Sequence, residues 1–263
     1  MTTIGTGAKR GLFVVLAAAA CAACARRVSP ATSTEISASG PLGAIVLEAK
    51  HLDTRHIANF AEVQRTLSRG AAGDTSERES VRTTVEERLV PLAGARGGLL
   101  QISTGHYASG DFVDTLLMQR DGLLPLSERI RYPQRRWAKQ IEFHGTILHQ
   151  VNHFGDSTHS IDRQFSRPVF AFSEVDLVIR SLPFAAGYRA ILPLYSEGDD
   201  SLEMDTVAVT RAPGRAWTVR FADPAIIATY VIDSTTRRIT QYDVTSRLNG
   251  VRARRAMSAP DSR

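Results

Sequence analysis

The fold is decided by the stretch Ala216-Trp-Thr-Val-Arg-Phe-Ala-Asp-Pro-Ala-Ile-Ile-Ala-Thr-Tyr-Val-Ile-Asp-Ser-Thr-Thr-Arg-Arg-Ile-Thr-Gln-Tyr-Asp-Val244. Turn-forming residues interrupt it twice, at Ala222-Asp223-Pro224 and at Asp233-Ser-Thr-Thr236. Between these turns the β-branched and aromatic residues alternate largely with polar or small ones, a pattern typical of strands with one buried face. Aspartate followed by proline, serine or threonine is favoured in turns. The stretch therefore predicts a three-stranded antiparallel meander.

The same period of two recurs upstream of this meander. It predicts strands over residues 81–89, 98–104, 112–120, 123–132, 137–143, 146–151, 188–195 and 202–210. Glycine-rich and acidic breaks separate the runs and suit hairpin turns. The apolar pattern of Ala61–Leu67 is too short to decide whether this segment forms a helix or a strand. We therefore predict a mainly β fold with a single curved antiparallel sheet, half-barrel-like, over residues 53–248.

One short segment has helical spacing. Ser173-Glu-Val-Asp176 resembles a capping box with Ser173 as the cap, and Pro183 ends the segment. Four apolar residues then fall at i, i+3, i+4 and i+7, namely Val175, Val178, Ile179 and Leu182. Because two helical turns are not stable alone, we expect this face to pack on the concave face of the sheet.

The N-terminus predicts export. Lys9 and Arg10 precede a run without polar side chains over residues 11–20, which is too short to span a bilayer. The small residues that follow end in Cys21 and Cys24, and this resembles the lipobox of bacterial lipoproteins. We predict a signal peptide over residues 1–24, with Cys21 or Cys24 as the lipidated residue. Cleavage by ordinary signal peptidase is the alternative. Residues 25–52 are rich in small and polar residues and suit a flexible tether.

The composition argues against nucleic acid as a partner. The net charge is +5, but 29 of the 32 cations are arginine, since lysine occurs only at positions 9, 50 and 139. The cations are dispersed instead of gathered on one stripe with aromatic residues. We expect residues 249–263 to form a basic disordered tail. The only cysteines lie in the signal segment, so the body has no disulfide or thiol chemistry.

Two further motifs suggest a family. They are Arg180-Ser-Leu-Pro-Phe-Ala-Ala-Gly-Tyr188 and Thr229-Tyr-Val-Ile-Asp-Ser-Thr-Thr-Arg-Arg-Ile-Thr240. Both resemble the corresponding connection and final hairpin of an uncharacterised family of exported bacterial half-barrel proteins. That architecture is similar to the periplasmic lipoprotein carriers, in which a curved sheet and a helical lid enclose a hydrophobic cavity. The resemblance covers roughly residues 110–245 and implies a cavity, for which the candidate lining residues are Phe172, Val175, Val178, Ile179 and Leu182.

The sequence lacks the common catalytic motifs, among them a nucleophile elbow, a phosphate loop and a zinc-binding His-Glu-x-x-His pair. One histidine group, His144, His149, His153 and His159, invites a metal interpretation, with His149 and His153 on one face of a strand. Because this spacing fits no named motif, ordinary polar strand and loop residues are the favoured interpretation. We expect no catalytic residues, metal or cofactor.

An acidic run offers oxygen ligands for calcium. It comprises Glu197, Asp199, Asp200, Glu203 and Asp205. The run lacks the central glycine and the terminal bidentate glutamate of the usual calcium loop. A solvated hairpin tip is therefore the favoured interpretation, with calcium as the alternative.

These observations favour a non-catalytic lipoprotein of the cell envelope, facing the periplasm or the cell surface. It would be held to the membrane by its N-terminal lipid and would bind an apolar or lipid-like ligand in the curved sheet. An envelope scaffold with a protein partner and no ligand is the alternative. A metal-dependent hydrolase using the histidine group is the less favoured one.

Overall fold

The computed structural model describes residues 44–69, 76–93, 97–107, 110–198 and 200–259. Within them lie sixteen strands and one short α-helix, α1 (Val175–Arg180). The first strands are β1 (Ile45–Val46), β2 (Phe60–Arg69), β3 (Glu77–Val90), β4 (Gly98–Tyr107), β5 (Gly110–Gln119), β6 (Pro125–Tyr132), β7 (Trp137–His144), β8 (Ile147–Phe154) and β9 (Ser157–Gln164). The remaining strands are β10 (Phe170–Ala171), β11 (Arg189–Ser196), β12 (Ser201–Ala212), β13 (Ala216–Ala222), β14 (Ile226–Asp233), β15 (Ile239–Ser246) and β16 (Arg252–Ser258). Short 3-10 turns occupy Ala49–His51, Pro133–Arg135 and Phe172–Glu174.

All sixteen strands belong to one unclosed sheet. Two runs of consecutive antiparallel hairpins, β2 to β9 and β11 to β16, are joined where β16 pairs with β2. The short strands β1 and β10 add to β11 in parallel. Strand β9 forms the opposite edge of the sheet, so the strand order begins at β1 and ends at β9. The predicted mainly β fold with a single large antiparallel sheet is confirmed.

The predicted meander is present as β13, β14 and β15, which pair in sequence order. Along β14 the buried residues are Ile226, Ala228, Tyr230 and Ile232, and the residues between them are only partly buried. Burying an aliphatic or aromatic side chain of this size contributes about 1.5–3 kcal/mol. The period-two pattern therefore indicates directly which face of the strand meets the core.

Two segments differ from the sequence-based expectation. Residues 61–67, for which helix and strand stayed open, lie within strand β2. The predicted disordered tail over 249–263 is corrected, because Arg252–Ser258 forms β16 between β15 and β2. Its inward positions hold Ala253 and Arg255, both buried. Because the inward residues are a small one and an ion-paired arginine, the segment lacks the apolar alternation from which a strand is predicted.

The helix begins later than predicted. Ser173 does not cap it but lies in the preceding 3-10 turn and donates a hydrogen bond to Glu128 Oε1 at 2.6 Å. The carboxylate of Glu174 instead accepts the backbone N–H of Ala171 at 2.6 Å. Leu182 lies beyond the helix end and is fully buried.

The sheet curls around this helical segment, which touches inward side chains of several strands. Arg180 pairs with Glu87 of β3, and Asp176 pairs with Arg255 of β16. Gln101 of β4 donates to the carbonyl oxygen of Ser173 at 3.0 Å. The same segment also bonds to Glu128 of β6 and to Glu197 directly after β11, and these strands lie far apart in the sheet. Contacts of this span place the segment inside a concave face.

The predicted signal peptide, including Cys21 and Cys24, lies outside the described residues, as does residue 199 of the acidic run. Of the predicted tether, the part from residue 44 onward is described and contains β1 and one 3-10 turn. Among the described residues, none of the helices combines the length and the apolar composition that crossing a membrane requires.

Candidate ligand-binding site

A cavity of about 160 Å³ opens between the helical segment and the inner face of the sheet. Its walls come from strands β2 to β6, from β14 to β16 and from the segment around α1. Aromatic and carboxylic side chains make up twelve of its 23 lining residues. Six aromatic side chains contribute, namely Phe60, Tyr107, Phe112, Tyr132, Phe172 and Tyr230, and six carboxylic ones, namely Glu62, Glu87, Asp114, Glu128, Asp176 and Glu197.

The aromatic wall is a continuous row of rings on β4 to β7. The ring centroids of Tyr107 and Phe112 are 5.2 Å apart, and those of Phe112 and Tyr132 are 5.8 Å apart. Trp137 extends the row, with its centroid 5.1 Å from that of Tyr132. Aromatic pairs at such distances are stabilising beyond the area they bury. The row therefore gives the cavity a rigid apolar side.

Three carboxyl groups form the polar part of the lining. Asp114, Glu128 and Glu197 are 8%, 1% and 1% exposed. In each, one oxygen has no hydrogen-bond donor, namely Asp114 Oδ1, Glu128 Oε2 and Glu197 Oε2. A carboxylate only accepts hydrogen bonds, so neighbouring carboxylates cannot satisfy each other unless a proton is shared. We call these three residues the carboxyl row.

Burial raises the pKa of all three groups, because the surroundings disfavour the charged form. The nearby Glu128 carboxyl raises the pKa values of Asp114 and Glu197 further. At Glu128 the hydrogen bond from Ser173 works in the opposite direction. The carboxyl row thus holds protons at a pH where free carboxyl groups have lost them.

A buried ammonium group closes one flank of the carboxyl row. Lys139 donates hydrogen bonds to the carbonyl oxygen of Glu197 and to Asp200 Oδ1, the latter at 2.7 Å. Gln150 donates to the same Asp200 oxygen at 2.8 Å, and Tyr195 donates to Gln150 Oε1 at 2.7 Å. This network fixes the turn between β11 and β12, and with it the position of Glu197.

Two other carboxylates of the cavity are neutralised by arginine. Arg180 hydrogen-bonds to Glu87, and both side chains are nearly fully buried. Arg255 donates two hydrogen bonds to Asp176. Both guanidinium groups are therefore committed to these ion pairs, and the cavity retains a surplus of carboxyl groups over cations.

The structure separates the five predicted lining residues. Phe172 and Val175 line the cavity. Val178, Ile179 and Leu182 are fully buried in the main hydrophobic core and are not among the lining residues. Phe172 and Val175 thus face the cavity, whereas the later apolar residues of the segment pack in the core.

The four histidines do not form a metal site in the described structure. His149 and His153 share one face of β8, as predicted, but four residues along a strand separate them by about 13 Å. His159 pairs with Asn152 and so lies on the opposite face. His149 Nδ1 is hydrogen-bonded with Asp162 at 2.6 Å, and His153 Nδ1 with Thr158 at 3.1 Å. These two side chains each have a local partner.

The acidic run is not a uniformly solvated hairpin tip, and this expectation is corrected. Glu197 and Asp205 are each 1% exposed. Glu197 is held inward because its Oε1 accepts the backbone N–H of Phe172 at 3.0 Å. Asp205 is held inward because it occupies an inward position of β12 beside buried Val207.

Sequence reasoning did not identify Asp114, Glu128 or Lys139 as site residues. The sequence nevertheless contained a sign of their burial, because both acidic residues fall on the apolar positions of an alternating strand pattern. Asp114 stands between Phe112 and Leu116 in the buried row of β5, and Glu128 precedes Ile130 in that of β6. A charged residue at an inward position is unusual unless it is paired or functional.

No family model matches this chain, and no curated protein matches it. Among solved structures, the chain is similar to a β-barrel-like protein from Brucella abortus that consists of a domain of unknown function, DUF1849. The two share 9% sequence identity with a TM-score of 0.46, over 79% of this chain and 98% of that one.

Proposed function

We propose that this chain is a non-catalytic binding protein that holds a small amphipathic ligand in the cavity of its curved sheet. The observation that carries the proposal is the carboxyl row, since its three buried residues line a ligand-sized space and each keeps one oxygen without a hydrogen-bond donor. Burying a polar group without a partner costs about 1–3 kcal/mol. A ligand that supplies donors would recover that cost on binding.

The chemistry of the walls indicates the chemistry of the ligand. The aromatic row favours an apolar body, and the surplus of carboxyl groups favours a head with N–H or O–H donors, above all a protonated amine. A cavity of about 150 Å³ accommodates a molecule of benzene size. The ligand, or the part of a lipid-like ligand that enters the cavity, is therefore about that large.

Native mass spectrometry of the gently purified full-length chain tests the proposal. Decylamine, decanol and decanoate serve as probes with equal apolar chains and different heads. We expect decylamine to bind with the highest affinity and decanoate at least tenfold more weakly, since its carboxylate meets other carboxyl groups. Preferred binding of decanoate, or binding of none of the three, would overturn the proposal.

Substitutions in the carboxyl row test whether the ligand binds in the cavity. We expect Glu128→Gln and Asp114→Asn to weaken decylamine binding at least tenfold while leaving decanol binding within a few-fold. The matched control is Asp156→Asn, whose side chain is 94% exposed and remote from the cavity lining. Equal losses in all three variants would contradict binding at the carboxyl row.

We also propose that the chain acts in the cell envelope as a lipoprotein anchored through Cys21 or Cys24. The positive start, the short apolar run and the small residues before both cysteines support this. Metabolic labelling with a palmitate analogue tests it. We expect label in the wild-type chain and in one of the variants Cys21→Ser and Cys24→Ser, and no label in the double variant. Unlabelled wild-type chain would contradict anchoring.

One observation favours an assembly role as the second candidate. Strand β9 forms an edge of the sheet, and seven of its eight residues are exposed. An exposed edge strand offers backbone groups to a strand from a partner. Exposed Phe154 and Ile147 on β8 lie beside it. Crosslinking from β9 to a specific envelope protein, without any ligand in the cavity, would favour this role.

A further inference from the structure

A second group of carboxylates meets at the hairpin formed by β12 and β13. Glu203 and Asp205 are two residues apart on β12 and so share one face. Asp223 follows β13 directly, and the pair Thr206–Ala222 places it beside Asp205. One carboxylate oxygen from each residue lies within 4.8 Å of the other two. None of the three residues lines the ligand cavity.

Asp205 is the unusual member of this group. It is 1% exposed, and neither of its carboxylate oxygens has a hydrogen-bond donor. Its neighbour on the β11 side is apolar, since Asp205 pairs with fully buried Leu192. Burial, together with the charges of Glu203 and Asp223, raises the pKa of Asp205 to about 8. A buried carboxyl group beside two others needs a positive partner or a proton.

Asp223 is held in place by the backbone. Its Oδ1 accepts the N–H of Ala225 at 2.5 Å and that of Ile226 at 2.7 Å. These bonds orient the carboxylate and leave Oδ2 for another partner. The three side chains thus offer oxygens of fixed geometry, and oxygen is the ligand atom that hard divalent cations prefer.

We propose that Glu203, Asp205 and Asp223 bind one hard divalent cation, with calcium as the preferred ion and water completing its coordination. Calcium takes 6–8 oxygen ligands in flexible geometry, whereas magnesium demands a near-ideal octahedron. Three carboxylates from one strand and from the turn after its neighbour fit the more tolerant ion. The bound cation would supply the partner that both oxygens of Asp205 lack.

Isothermal titration calorimetry of the chelator-treated full-length chain tests this site, with CaCl₂ and MgCl₂ as titrants. We expect one calcium per chain and at least tenfold weaker magnesium binding. In a thermal melt, calcium should raise the midpoint of the wild-type chain. Absence of calcium binding at millimolar concentration, or preferred binding of magnesium, would overturn the proposal.

Substitutions localise the ion. We expect Asp205→Asn and Glu203→Gln each to weaken calcium binding at least tenfold, whereas Asp162→Asn, an exposed carboxylate on β9, leaves it unchanged. Without calcium, Asp205→Asn should melt no lower than the wild type, because an amide cannot place a charge at this buried position. Calcium binding that survives both substitutions would overturn the assignment to this cluster.

Discussion

Arg255 near the C-terminus donates two hydrogen bonds to the carboxylate of Asp176 in helix α1, the longer of them at 3.2 Å. Its guanidinium carbon also lies 3.8 Å from the ring centroid of Tyr242. The pair joins the last strand of the sheet to the helix inside it. Since Arg255 and Asp176 both line the cavity, the same contact closes part of the wall.

We expect Arg255→Ala to lower the free energy of unfolding by about 3 kcal/mol, because removing one partner of a buried ion pair leaves the other charge uncompensated. Arg252→Ala on the same strand should change it by less than about 0.5 kcal/mol, because Arg252 is exposed. Urea denaturation of both variants measures the difference. Equal effects of the two substitutions would show that Asp176 does not depend on Arg255.

The strands with apolar inward rows could be predicted from the sequence, and those with polar inward rows could not. In β14, Ile226, Tyr230 and Ile232 indicate the buried face directly. In β16 the inward residues are Ala253 and Arg255, so the segment has the composition of a solvated tail. Only the position of Asp176 in space makes an inward arginine favourable there, and no local pattern contains that information.

The candidate site was also hard to predict, because its key residues are polar side chains at inward positions. Glu197 and Asp205 belong to a run that resembles an exposed turn, since carboxylates are almost never fully buried. The burial of Glu197 depends on a partner distant in sequence, the backbone N–H of Phe172. That of Asp205 follows from its inward position on β12. The helix that bounds the site could be predicted from its apolar spacing. The role of Ser173 could not, because its partner Glu128 lies 45 residues away.

The carboxyl row should give stability a characteristic dependence on pH. The pKa values of Asp114, Glu128 and Glu197 are raised in the folded chain, so the folded state binds more protons than the unfolded state. Their contribution is therefore fully present below the unfolded pKa values, 3.8 for aspartate and 4.5 for glutamate, and is lost as the pH rises through the raised values. A tenfold difference in proton affinity between the folded and unfolded states corresponds to about 1.4 kcal/mol.

Asp114→Asn isolates this effect, because an amide does not titrate. We expect the stability of the variant relative to the wild type to increase as the pH rises above 4, measured by urea denaturation at a series of pH values. Asp156→Asn should show a nearly constant difference, since that side chain is exposed. A difference for Asp114→Asn that does not change with pH would contradict the raised pKa.

Gly105 on β4 makes room for the aromatic wall. A Cβ atom at this position would lie 1.8 Å from Cε1 of Phe112. We expect Gly105→Ala to lower the free energy of unfolding by about 1–3 kcal/mol, since the ring must leave its place in a packed row. In combination with Phe112→Ala the added methyl group should cost at least about 1 kcal/mol less than in the wild-type background. Additive effects in this double-mutant cycle would show that the two residues do not compete for space.

Lys139 provides a test of the polar network that positions Glu197. Its side chain is 4% exposed and bonds to Asp200 Oδ1 at 2.7 Å. We expect Lys139→Met to lower the free energy of unfolding by about 3 kcal/mol, because Asp200 then loses its cation while Gln150 still holds it in place. Lys50→Met is the matched control, since Lys50 is 70% exposed and its pair with Glu48 contributes at most about 1 kcal/mol. If the two variants unfold at the same urea concentration, Asp200 is satisfied without the ammonium group, and the turn that carries Glu197 is held by Gln150 and Tyr195 alone.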